Sequence, residues 1–189
     1  MSTEAPKSIY DAGKANPRGI PQAPFVEKVE DFVKSPEEVE MVLNKFQDFL
    51  QKYKFMEANT LRRVAGLREK IPDIQQTLDM VKFLDSRKDS DEPFTTNYEL
   101  NDTLYAKAAI TPTKTVYLWL GANVMLEYPT TEAIELLQQR LKAANESLAT
   151  CEEDLEFLKE NITTMEVNTA RVYNWDVQKR KELKAQEKE

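Results

Sequence analysis

Cys151-Glu152-Glu153-Asp154 places a thiol before three consecutive carboxylates. Paired carboxylates can share proton transfer, and a thiolate can attack or ligate. The surrounding pattern argues against both uses. The run interrupts an apolar repeat of helical period, in which the carboxylates belong to a solvated face and Cys151 falls on the seam as a small hydrophobe. The chain of 189 residues contains no His, which removes Ser-His-Asp relays, zinc-protease patterns and imidazole bases. Its four scattered Gly form no phosphate-cradling loop. Lys179-Arg180-Lys181 is short and mixed with Glu182 and Glu187, and the net charge is −7, so no nucleic-acid surface is expected. The expectation is a protein that is not an enzyme and has no catalytic residue, no metal and no cofactor.

Tyr173 and Trp175 could do a different kind of chemistry. Aromatic side chains near the end of a helix offer adaptable apolar contact, and apolar patches on water-facing surfaces mark interaction sites. With Val172 and Val177 they form one apolar group, which either covers the end of the helical seam or stays open to a partner. Phe25, Val26, Val29, Phe32 and Val33 form another, spaced as a short amphipathic helix in a Pro-containing head, which either packs against the following helix or binds a partner.

These groups must be positioned by long helices, since 31% of the residues are charged and Gly is scarce. Residues 1–34 hold Pro6, Pro17, Pro21, Pro24, Gly13 and Gly19, and are expected to be a mobile N-terminal segment with a short apolar island. Ser35-Pro36-Glu37-Glu38 carries a capping box with Pro at the first helical position, and predicts a helix over residues 35–87. Its seam is Val39, Leu43, Phe46, Leu50, Tyr53, Val64, Leu67, Ile71, Ile74, Leu78 and Val81, in steps of three and four that falter near Glu57 and Thr60. Pro72 should bend this helix without dividing it. A second helix over residues 131–178 has a cleaner seam: Ile134, Leu137, Leu141, Ala144, Leu148, Cys151, Leu155, Leu158, Ile162, Met165, Thr169 and Val172. Residues 179–189 form a charged C-terminal tail that should fray. Two seams of about 50 residues, roughly 75 Å of helix each, predict a long antiparallel intramolecular coiled coil.

Between the helices, after the polar loop 85–93, the period changes to two. Residues 94–129 are expected to be tandem β-hairpins, the second divided by Gly121-Ala122-Asn123. The fold class is therefore mainly α with small β, the connector of a coiled coil carrying two hairpins. Thr115 to Tyr128 is apolar on both alternating faces, and the two helical seams are expected to bury each other and leave these faces without cover. Isolated hairpins are marginal in water, so they are expected to pair with those of other chains. The expected oligomerisation residues are Tyr98, Leu100, Leu104, Ile110, Val116, Tyr117, Leu118, Trp119, Leu120, Val124 and Leu126. The opposite end of the coiled coil should bring residues 25–33 and 172–177 together as an open tip.

No window approaches the roughly 20 apolar residues of a membrane span, and no apolar leader is evident, so a non-secreted chain with no membrane contact is expected. The lone Cys151 fits a reducing compartment. The sequons at Asn101, Asn145 and Asn161 are expected to be chance occurrences.

The order helix, tandem hairpins, helix, with Leu118-Trp119-Leu120-Gly121-Ala122-Asn123-Val124-Met125-Leu126-Glu127-Tyr128, Glu152-Glu153-Asp154-Leu155-Glu156-Phe157-Leu158 and Ala170-Arg171-Val172-Tyr173-Asn174-Trp175-Asp176-Val177, resembles an α-class prefoldin subunit from about Phe25 to Val177. The resemblance implies a heterohexamer containing one further α-class and four β-class subunits. It also implies an ATP-independent cochaperone, acting in the cytoplasm with a nuclear role left open. The tips, here Phe25, Val26, Val29, Phe32, Val33, Val172, Tyr173, Trp175 and Val177, would hold unfolded actin and tubulin and pass them to the cytosolic group II chaperonin. The alternative is a structural coiled-coil adaptor binding a folded partner.

Overall fold

The computed structural model describes residues 15–33 and 38–186. Ser35, Pro36 and Glu37 of the expected capping box lie outside the described residues, as does most of the head before residue 15. Helix α1 is Glu38–Ser86 and passes through Pro72 unbroken. Four strands follow: β1 Phe94–Asn101, β2 Leu104–Ile110, β3 Thr115–Gly121 and β4 Val124–Pro129. Helix α2 is Thr130–Gln186. It runs past the expected fraying point at residue 178. Lys179 reaches Glu182 at 2.9 Å and Arg180 reaches Asp176 at 2.8 Å, and such pairs at i,i+3 and i,i+4 support a terminal helix.

Two compact units divide the chain, one of residues 65–148, the other of residues up to 64 together with 149 onward. In the first unit β1 pairs with β2 and β3 with β4, both antiparallel, as two separate two-stranded sheets. The second hairpin closes through Ala122 and Asn123, at φ 49° and 58°, with Gly121 at φ 97°. Positive φ at both central residues is the turn that matches the right-handed twist of strands. Gly121 bears the same geometry at no steric cost. The core of this unit joins Leu78 and Val81 of α1, Leu118 of β3, and Ala133 and Leu137 of α2. At the strand-to-helix junction the Thr130 N–H donates to the Lys114 carbonyl, and the Thr130 hydroxyl donates to Asp85 Oδ1.

In the second unit α1 and α2 run antiparallel, since Lys54 pairs with Glu166 at 2.9 Å while Glu40 lies in the field of Arg180. The two seams supply the core as expected: Val39, Phe46 and Tyr53 from α1 are buried with Leu158, Ile162, Met165 and Val172 from α2. A third layer also forms, the first of the two alternatives read for residues 25–33. Residues 20–33 lie along the two helices, with Ala23, Val26, Val29 and Val33 buried in the same core. Only Val29–Asp31 is helical there, as a single 3-10 turn. The expected amphipathic helix is corrected to a non-helical segment with one 3-10 turn, packed on the two helices. The apolar spacing belongs to a chain laid against a groove, which gains more by covering two exposed seams than by remaining solvated.

Candidate functional site

Two surfaces carry the apolar residues singled out by the sequence. The first is the hairpin pair. Along β3, alternate side chains point to opposite faces. Leu118 is 8% exposed and packs on α1 and α2, with Val116 half-buried beside it. Leu120 is half-buried too. Tyr117 and Trp119 point outward, 64% and 57% exposed. Their cross-strand partners are Glu127 and Met125, so Tyr117, Trp119 and Met125 form one open aromatic and thioether face. The expectation that the helices leave both faces uncovered is corrected. The helix pair covers the inner face, where Leu118 is buried in one core with Leu78, Val81, Ala133 and Leu137 and Val116 packs against it. Leu126 and Val124, near the turn, remain exposed.

The first hairpin also splits its roles along its length. Phe94, opposite Ile110, packs edge-on against Phe83 of α1 with ring centroids 5.4 Å apart, and the Arg87 guanidinium lies over both rings. Beside this base is a cleft of about 1000 Å³ lined by Met80, Phe83, Leu84, Phe94 and Ile110 among others. Toward the turn, Tyr98, Leu100, Leu104 and Tyr105 are exposed. Both hairpins have unpaired outer edges, which present main-chain donors and acceptors to a further strand.

The second surface is the groove between α1 and α2 that holds residues 15–33. Asn16, Ala23, Val26 and Glu30 meet Asp154, Asn161, Asn168 and Trp175 in that order, so the segment runs parallel to α2. The Ala23 N–H donates to Asn161 Oδ1, and the Val26 N–H donates to Asn168 Oδ1 at 3.0 Å. Asn168 Nδ2 donates to the Pro24 carbonyl at 2.6 Å, and Arg171 donates to the Val26 carbonyl at 2.8 Å. Asn161 and Asn168 stand seven residues apart, about 10.5 Å of helix, a distance that Ala23 to Val26 can match only when nearly fully extended. The Pro24 carbonyl and Val26 N–H face one way, so the Asn168 amide binds them as a residue of a parallel strand would.

Asn168 is fully buried, and leaving its amide without partners costs about 1–3 kcal/mol. The ends of the segment are tied by side chains nearer the surface. Arg18 pairs with Glu153 and Asp154, and its guanidinium is held above its ordinary value by the hydrogen bond to Asp154. The Trp175 indole N–H donates to Glu30 Oε1 at 2.9 Å. The Glu30 carboxyl is held below its ordinary value by its own backbone N–H and then by Trp175. The Tyr53 hydroxyl donates to the Pro21 carbonyl at 2.9 Å, and burial pushes its titration up.

Of the residues expected to form an open tip, Val26, Val29, Val33 and Val172 are instead buried against one another. Phe32 and Trp175 pack partly onto that core, and Val177 is half-buried. Phe25 and Tyr173 remain exposed, Phe25 beneath the Arg171 guanidinium at 4.6 Å. Glu153 and Asp154, read as a purely solvated face, anchor Arg18. Asn161, Asn168 and Arg171 were missed. Two short amides one heptad apart beside the seam, where coiled coils usually carry Glu or Lys, were the available signal. Cys151 is buried on its seam, and among the described residues no cluster of acidic or Cys side chains could hold a metal.

Paired long helices joined by two hairpins define a coiled-coil chaperone class, and the comparisons agree. Residues 53–175 match the family model described as prefoldin subunit, and the chain belongs to the prefoldin family. Within it, the chain is similar to prefoldin subunit 3 of Elsinoe fawcettii, 61% identical and covering 96% of this chain and 92% of that one. Prefoldin subunit 3 of Saccharomyces cerevisiae is 50% identical, with 94% of each chain covered. Prefoldin subunit 3 of Homo sapiens is 49% identical, covering 86% of this chain and 83% of that one. A cryo-EM structure of filamentous prefoldin from Methanocaldococcus jannaschii shares the fold, with a TM-score of 0.51 at 16% identity, covering 65% of this chain and 98% of that one. Prefoldin subunits are chaperone components without enzymatic activity, and this chain is one of them.

Proposed function

We propose that the chain is an α-class subunit of a heterohexamer, assembling through its hairpins with one further α-class and four β-class prefoldin subunits. The open face of Tyr117, Trp119 and Met125, with Tyr98, Leu100 and Leu104 on the other hairpin, carries this reading. Such a face on sheets with free edges is completed by strands of other chains. The complex holds unfolded actin and tubulin at its coiled coils and passes them to the cytosolic group II chaperonin without ATP. Its place of action is the cytoplasm.

Coexpression with the five partner subunits tests assembly, read as one hexameric species by light scattering. The purified complex is then mixed with denaturant-unfolded actin, and afterwards with chaperonin, in the absence of nucleotide. Suppressed aggregation followed by transfer is the expected result. A stable monomer that ignores the partners, or a hexamer that leaves actin aggregation unchanged, would overturn the reading in favour of an adaptor for a folded protein.

A further inference from the structure

The groove occupied by residues 20–33 is built to hold main chain. Asn161, Asn168 and Arg171 bind the peptide groups of Ala23, Pro24 and Val26. A peptide group is common to every sequence. A folded protein has these groups already paired, whereas an unfolded chain offers them free. The side chains that enter the groove are small and apolar, at spacings of three and four, so the apolar demand is also undemanding of sequence.

We propose that residues 20–33 are a resident ligand: they fill, in the shape of an unfolded chain, a groove that binds unfolded clients, and capture proceeds by displacing them. The inference rests on the client-holding reading above and adds its control. A vacated groove would leave Asn161 Oδ1 and the Asn168 amide without their main-chain partners and Phe46, Leu158 and Met165 open, so it is kept closed until another extended chain supplies the same contacts. The end anchors, Arg18 with Glu153 and Asp154 and Glu30 with Trp175, lie nearer solvent than the fully buried Asn168, and the Arg18–Glu153 pair, its carboxylate 68% exposed, contributes little. Release therefore starts from the ends. Tethering gives the segment a high effective concentration, so a client must offer several apolar residues in extended form to replace it.

The test uses the full-length chain assembled with its partner subunits, and fluorescently labelled, guanidinium-unfolded actin as probe. In the wild-type complex, the amides of Ala23 and Val26 should exchange deuterium faster once the probe is added, and unchanged or slower exchange overturns the proposal. Val26→Asp combined with Val29→Asp frees the segment and should tighten probe binding about tenfold by removing a tethered competitor. Unchanged or weaker binding, in a complex with intact helical circular dichroism, overturns it. Adding Asn168→Leu to that released variant should reverse the gain, and a gain that persists shows that main chain is not what the groove reads. Should the Asp variants not assemble, the exchange experiment on the wild type decides alone. A wild-type complex that binds no probe refutes the client reading itself, a result distinct from binding that leaves the segment in place.

Discussion

Replacing Tyr117 and Trp119 together with Lys separates assembly from folding. Both side chains are mostly exposed in the single chain, at 64% and 57%, so the substitution removes little that the chain buries by itself. An aromatic side chain carries about 150–250 Å² of surface, so each has roughly 90–160 Å² left for a partner to cover. At about 25 cal/mol per Å² this is about 2–4 kcal/mol per ring, and about 5 kcal/mol for the pair. A loss of that size weakens association by about three to four powers of ten. Leu118→Ala is the control, because Leu118 points inward at 8% exposure and its truncation should cost the chain's own stability about 2–5 kcal/mol. The assay is a sizing column after mixing with partner subunits, paired with far-ultraviolet circular dichroism and thermal melting of the chain alone. The double Lys variant should elute unassembled with its helical signal and melting temperature retained, while Leu118→Ala lowers the melting temperature. Normal hexamer formation by the double variant would refute the assignment of the outward face. Loss of its helical signal would refute the division between an inner face that holds the chain together and an outer face that joins it to others.

Other perturbations follow from local geometry. Ala122→Gly should stabilise the second hairpin by about 1 kcal/mol, because Ala122 sits at φ 49° where a Cβ is disfavoured, and a melting temperature that stays level or falls would contradict this. Gly66→Ala should raise stability by about 0.5–1 kcal/mol in chemical denaturation, since Gly66 lies inside α1 and a Cβ there meets nothing within 4 Å. The tie between Glu30 and Trp175 should loosen in acid. The Glu30 carboxyl titrates below its ordinary value of about 4.5 when folded, so its contribution is fully present above that pH and is lost as the pH falls through the folded value. Trp175 fluorescence in a Trp119→Phe background should show a transition below pH 4.5 that Glu30→Gln abolishes. A midpoint above that value would point to another group.

The helices, their seams and the hairpins were legible because each is written in a local period. Val39 to Val81 and Ile134 to Val172 repeat at the coiled-coil spacing, and every position of both seams is buried or half-buried in the structure. The strands were legible from their period of two, although burial alternates only in β2 and β3 while β1 and β4 are exposed along nearly their whole length; the absence of His needs no fold to interpret. What the sequence left undecided is which surface covers which. Leu118 and Trp119 are neighbours of similar hydrophobicity, and only the seating of β3 on Leu78 and Leu137 makes one a core residue and the other an open face. The valines at 26, 29 and 33 read equally well as an open tip. They became a buried strap because Asn161 and Asn168, more than 130 residues away in the chain, bind the peptide groups beside them. Period is a property of neighbouring residues, so the sequence alone determined the elements. Cover is a property of residues brought together across the chain, so only the tertiary structure decided which apolar groups are spent inside the molecule and which remain for its partners.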